Sequence, residues 1–172
     1  MEPLFVKTSE AIKGQIEFWY LKYYHLKYEE VDGMGIFTLF DKMPSHKRED
    51  ILLKLKLYNG EIPVLILTNS IDDYIVNTTH RFIRFKNGLI DFINYVDFKY
   101  HKGFKSIGNK DIASGRMMSV KTEGYFAEFG LIYKPGLIIY WTIPTGSAGF
   151  AFWNVTDKCE LIGRKYVIKN NV

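Results

Sequence analysis

The dipeptide Asn87-Gly88, set between the run RFIRFK (81–86) and a strand that begins near Ile90, constrains this chain more than any other feature. Both residues tolerate positive φ, which the tight turns joining antiparallel neighbours require, so the runs on its two sides read as a β-hairpin. The period-two pattern extends well beyond that turn. PVLILT (63–68) and DYIVNTT (73–79) precede the hairpin. The strand after it puts Ile90, Phe92, Asn94, Val96, Phe98 and Tyr100 on one face and Asp91, Ile93, Tyr95, Asp97 and Lys99 on the other, as in a half-buried antiparallel strand. Three more strands are predicted over 116–122, 125–133 and 137–143, with turns at Glu123-Gly124 and Lys134-Pro135-Gly136.

Helical spacing brackets this β-rich region. A first helix is predicted from Thr8 or Ser9, either of which can cap it, to about Glu30. Ile12, Ile16, Trp19, Tyr20 and Tyr23 recur at helical spacing, while Phe18, Leu21, His25 and Tyr28 widen the apolar surface beyond one stripe, so the helix is expected to touch two surfaces. Asp32, Gly33 and Gly35 are expected to end it, and a short apolar stretch over 36–40 follows. Ser45 caps a second predicted helix, HKREDILLKLKLY, with Ile51, Leu52, Leu55 and Tyr58 inward and Asn59-Gly60 as its stop. After Pro144, Ser147 caps a last helix to about Gly163, which offers Phe150, Phe152, Trp153, Val155, Cys159 and Ile162 for burial. The expected organisation is α+β: residues 1–60 as a helical N-terminal extension packed on the core, and residues 61–172 as a seven-stranded antiparallel domain closed by a terminal helix.

Composition narrows the function classes. With 172 residues, 47% hydrophobic and 24% charged, the chain suits one domain with a real core and is not disordered. A single cysteine, Cys159, excludes an intramolecular disulfide and any multi-cysteine metal site, which suits a reducing compartment. The start, MEPLFVKTSE, has no apolar run before Lys7 and is no secretory signal, so the cytoplasm is the expected location. Residues 135–156 carry no charge over the length of a membrane span, but Pro144, Gly146 and Gly149 would leave backbone groups unpaired in lipid. The histidines His25, His46, His80 and His101 show no close metal spacing, Asp72-Asp73 sits at a turn, and Cys159 falls among apolar helical positions as an inert thiol. Gly103 to Lys110 lacks the spacing of a phosphate-binding loop. No cofactor, metal or catalytic constellation is therefore expected, and enzyme activity is not expected either.

Charge and rings supply the candidate sites. The net charge is +4, and Lys99, Lys102, Lys105, Lys110, Arg116 and Lys121 stand against the single acid Asp111 in one stretch. Together with Arg81 and Arg84 of the preceding strand, this stretch is the candidate site for an anionic ligand such as a lipid or phosphate group. Rings interleave with these bases, but Asp91, Asp97 and Asp111 dilute the field and argue against nucleic acid. Phe, Tyr and Trp make up 16% of the chain. Trp19, Tyr20, Tyr23, Tyr24 and Tyr28 crowd more ring surface onto the first helix than one docking face can bury, which makes them the candidate protein interface.

The passage from Asp73 to Gly103, with Thr78, Thr79, Arg81, Asn87, Gly88, Tyr95, Asp97, Phe98 and Lys99 at its marked positions, resembles bacterial members of the pleckstrin-homology-like superfamily. The helix after Pro144 would match the helix that caps the open end of their barrel. The resemblance covers residues 61–165 and implies a seven-stranded barrel or sandwich acting as a non-catalytic binding or scaffold module, with peptides, proteins or phosphoinositide head groups as ligands. In lipid-binding members the basic loop lies between early strands, whereas here it follows the fourth. A second reading, from the absence of motifs and the wealth of rings, is an inhibitor or immunity protein that neutralises a partner enzyme or toxin.

Overall fold

The computed structural model describes residues 4–105 and 119–169. Ten strands and four helices follow in the order β1 (Phe5–Thr8), α1 (Ser9–Tyr24), β2 (Phe37–Leu39), α2 (Ser45–Lys54), β3 (Pro63–Ser70), β4 (Asp73–Thr78), β5 (Arg81–Lys86), β6 (Leu89–Asn94), β7 (Phe98–Phe104), β8 (Phe126–Tyr133), β9 (Leu137–Pro144), α3 (Ser147–Thr156), α4 (Cys159–Lys165) and β10 (Tyr166–Lys169). The fold is α+β. β2 to β6 form a five-stranded antiparallel sheet in chain order, β7 to β9 a three-stranded antiparallel sheet, and β1 pairs in parallel with β10. No ladder joins the five-stranded to the three-stranded sheet, so the described strands form no closed barrel. Among the described residues no helix is long and apolar enough to cross a membrane.

The larger of two apolar clusters lies between the sheets and beneath α1 and α3. Ile12, Ile16, Trp19 and Tyr20 of α1 meet Leu65, Leu67, Ile75 and Phe82 of the large sheet, Phe129, Leu131 and Ile143 of the small one, and Phe152 and Val155 of α3. Each such large side chain contributes about 1.5–3 kcal/mol when fully removed from water. The second cluster lies on the opposite face of the five-stranded sheet, where Ile66, Tyr74, Val76, Ile83 and Phe85 are covered by Phe40 and by Ile51 and Leu55 from α2 and its C-cap. The N-terminal sixty residues therefore supply β1 and β2 as well as the two expected helices, and β2 extends the large sheet along β3.

Several elements depart from expectation. The first helix stops at Tyr24, not Glu30, because His25 turns into the left-handed region (φ 54°) and its N–H closes the helix on Leu21 and Lys22 carbonyls. Inside α2 and after it, Ile51 and Leu55 are buried as expected, but Leu52 and Tyr58 are exposed. The single strand expected over 90–100 is two strands in different sheets. A turn at Tyr95–Asp97 separates them, with the Phe98 N–H bonded to the Tyr95 carbonyl, and it resets the alternation. Ile93, Tyr95, Phe98 and His101 consequently point inward, while Phe92 and Tyr100 are exposed. Residues 119–122 of the strand expected over 116–122 form a turn, and 116–118 lie outside the described residues. The terminal helix breaks at Asp157-Lys158, and α4 runs on into β10.

Candidate functional site

The basic residues singled out by charge divide into two groups. Arg81, only 4% exposed, is consumed inside the protein. Its Nε donates to Glu61 Oε1 at 2.9 Å, and its Nη2 donates to the Lys56 carbonyl at 2.6 Å and to Glu61 Oε2 at 3.2 Å. The Tyr58 and Phe92 rings flank its guanidinium carbon at 3.8 and 4.7 Å. Thr78 and the Tyr58 N–H donate to the same carboxylate, so both buried charges are fully engaged and neither is offered to a ligand.

Arg84 is spent in a different way. It pairs with Asp73 at 2.7 Å and donates from Nη1 to the Thr142 carbonyl of β9 at 2.8 Å. Asn69 Nδ2 of β3 donates to the same carbonyl at 2.8 Å, and Trp141 Nε1 donates to Asp91 Oδ2 at 3.3 Å. Side chains of the large sheet thereby fasten the edge of the small one where no backbone ladder does. Burial lowers the pKa of Arg84 and the adjacent Asp73 carboxylate counters that shift. Arg81 and Arg84 are therefore structural, and the structure does not bring them together with the lysines.

Lys99, Lys102 and Lys105 belong to or adjoin β7 and are exposed. Register shifts between Phe98 and Tyr100 and between His101 and Gly103 mark two bulges that contain Lys99 and Lys102. Each bulge adds a residue without a partner on β8, which re-aims the side chains around it. The next face is built accordingly. Tyr100, Ile132 and Ile138 lie in register across β7, β8 and β9, and beyond them Gly130 faces Tyr140. A Cβ on Gly130 would lie 3.1 Å from Lys102 Cβ and 3.1 Å from Tyr140 Cε1, so the ring extends across the glycine. Lys102 Nζ donates to the Tyr140 hydroxyl at 3.3 Å, and Lys105 Nζ sits 5.1 Å from the ring centre while pairing with Glu128 at 3.3 Å. Among the described residues no helix covers this face: Tyr100 is 52% and Ile138 40% exposed. Lys110 and Arg116 lie outside the described residues.

At one end of this face is a cleft of about 340 Å³, lined by Tyr95, Val96, Phe98 and Lys99 from the turn into β7, Lys134 from the β8–β9 turn, and Glu160, Gly163 and Arg164 of α4. Gly163 lets α4 pack closely on that turn, because a Cβ there would fall 1.9 Å from the Tyr95 carbonyl oxygen. Glu160 is paired with Arg164 at 2.6 Å, whereas Lys99 and Lys134 make no ion pair among the described residues. Charge composition found Lys99; Lys134 and Arg164 come from distant segments that no spacing rule connects.

The aromatic group on the first helix also divides. Trp19 and Tyr20 are buried, and the Tyr20 hydroxyl donates to the Phe37 carbonyl at 3.0 Å, so they belong to the core and not to a partner surface. They complete the inward face begun by Ile12 and Ile16, one helical turn apart. Tyr24 is half-buried against Tyr20 and Tyr23, and burial raises its pKa well above the ordinary tyrosine value. Tyr23 and Tyr28 remain exposed, the latter beneath Lys42 at 4.2 Å.

Two buried titratable groups are packing elements: Cys159, as its apolar helical neighbours suggest, and His101, which the alternation of the strand did not place inside. His101 lies among Phe82, Phe98, Phe129 and Phe152, with ring centres 4.9–5.5 Å away. Thr156 Oγ1 donates to the Phe152 carbonyl, so it must accept from His101 Nε2 at 2.8 Å. That fixes the Nε2–H tautomer and leaves Nδ1, which has no hydrogen-bond partner, free of a proton. Burial pushes the His101 pKa down to about 3. Cys159, buried beside Asn77 and Tyr95, has its thiol pushed up to about 12 by burial and is an unreactive packing group. Among the described residues, no group of three or more His, Cys, Asp or Glu side chains could hold a metal ion. Comparison with known protein families, with curated proteins and with solved structures gave no match for this chain.

Proposed function

We propose that this chain is a non-catalytic binding module that engages a protein partner through the outer face of its three-stranded sheet. The observation that carries the reading is the contrast in cover: β2 to β5 of the large sheet are packed on both faces and only its edge strand β6 exposes apolar residues, whereas exposed Tyr100 and Ile138 with half-buried Ile132 and Tyr140 form an apolar patch edged by lysines across the small sheet. Tyrosines with an adjoining basic residue are favoured anchors at protein interfaces, since each ring contributes area at little cost in side-chain entropy. The chain order of a four-strand meander β3–β6, a three-strand meander β7–β9 and then a helix supports a pleckstrin-homology-like plan in which β1, β2, α1 and α2 are additions.

A photo-crosslinking amino acid placed at Tyr100, and separately at Leu53 on exposed α2, tests this in cells. A discrete adduct at Tyr100 with none at Leu53 is the expected result. Equal labelling at both positions, or at neither, would remove the reading. An adduct with an enzyme whose activity the chain suppresses would place the module in the inhibitor class.

A further inference from the structure

The cleft at the end of the three-stranded sheet has the wrong charge to be left alone. Three cations, Lys99, Lys134 and Arg164, line it against one carboxylate, Glu160, which Arg164 already occupies. Two lysines therefore line the cleft without an ion-pair partner among the described residues, a few residues from the row of exposed Tyr100, half-buried Ile132 and exposed Ile138. Lys99 immediately precedes Tyr100 in β7, which joins the cleft to that row. At about 340 Å³ the cleft is at the small end for a site that engulfs a metabolite.

From this charge complementarity and continuity we infer that the occupant is a short segment of a partner protein that places Asp or Glu side chains in the cleft and adjacent apolar side chains on Tyr100, Ile132 and Ile138. The inference rests on the reading that this sheet face is the contact surface. The cations supply orientation and long-range attraction, and the apolar row supplies the area removed from water. Lys99 contributes because the first bulge of β7 throws it out of the ladder, and Lys134 because the β8–β9 turn returns to the level of the Tyr95–Asp97 turn, where its N–H bonds the Asp97 carbonyl at 2.8 Å.

A library of short random peptides displayed on phage and selected against the full chain tests the assignment. Enriched peptides are expected to carry Asp or Glu beside apolar residues. Affinity of the best peptide is expected to fall about ten-fold in the Lys99→Glu/Lys134→Glu variant and to weaken steeply with salt. Both substituted positions are exposed, and a circular dichroism spectrum matching the parent confirms that the variant folds. Enriched peptides without acids, or an affinity unchanged by the lysine pair yet lost in Tyr100→Ser/Ile138→Ser, would overturn the cleft assignment while leaving the sheet-face reading in place. Indifference to both variants would overturn the two together, and failure to enrich any peptide would overturn the cleft assignment.

Discussion

The two antiparallel sheets of this protein meet across one core but differ on their far sides. The five-stranded sheet is packed on both faces from β2 to β5, with Ile66, Val76 and Ile83 shielded by α2 and by the turn around Phe40, and only its edge strand β6 is open. The three-stranded sheet buries Phe129, Leu131 and Ile143 on one face and leaves Tyr100, Ile138 and their neighbours wet on the other. Position on a strand is thus not enough to assign a role to an apolar residue; the layer beyond the sheet decides it. Ile83 and Ile138 are the same residue type, and only one of them is core.

The largest effect expected from this contrast is at the buried ion pair. Arg81→Met leaves Glu61 buried without its partner and is expected to cost about 3–5 kcal/mol in urea denaturation, whereas Lys102→Met on the small sheet is expected to stay within about 0.5 kcal/mol. Equal losses would mean that the outer face of the small sheet is covered. Next, Ile83→Ala is expected to cost about 2–5 kcal/mol through the cavity it opens beneath α2, measurable by the same titration.

A smaller effect comes from the inner face of the small sheet, where the fold keeps His101 neutral. Its folded pKa of about 3 lies below its ordinary 6.5, so the unfolded chain takes up a proton first as the pH drops. Stability is complete above about pH 6.5, falls as the pH moves toward 3 and levels off below. Between pH 7 and 5 the expected loss from this group is about 2 kcal/mol. Burial also lowers the pKa of His80, which acts in the same direction. His101→Phe keeps a ring in the cluster and should flatten the stability profile between pH 7 and 5; a slope as steep as that of the parent would assign the effect elsewhere. The smallest effect belongs to the open face, where Ile138→Ser is expected to change stability by no more than about 0.5 kcal/mol, with no shift in the denaturation midpoint as the sign that the face is free.

Much of the large sheet was legible because its signals are local. Asn87-Gly88 does form the β5–β6 turn, with Asn87 at φ 49° and Gly88 at φ 84°, and the runs at 63, 73 and 81 begin strands where expected. Thr8 caps α1 by accepting from the Ala11 N–H at 3.2 Å. The misreadings arise where a strand changes phase. The 90–100 segment alternates throughout in composition, yet the turn at Tyr95–Asp97 and the two bulges in β7 shift its parity, which buries His101 and exposes Phe92 and Tyr100. A bulge leaves no mark in a pattern of alternating letters. Arg81 and Arg84 look like ligand residues by charge alone, because the partners that neutralise them, Glu61 and Asp73, follow no spacing rule. Lys99 was visible in the basic stretch, but the cleft it helps to form needs Lys134 and Arg164, which only the folded chain brings near.

The parallel pairing of β1 with β10 has a consequence for the order of events during synthesis. Phe5 to Thr8 leave the ribosome well before their hydrogen-bonding partners Tyr166 to Lys169, with every other described strand made in between. A nascent chain can complete the β3–β6 meander, whose contacts are all between neighbours, long before Leu4, Phe5 and Val6 have a strand to lie against. While the elements from α1 to α4 are being made, β1 therefore remains an unmatched apolar β-segment, and closing the ribbon is a step that waits for β10.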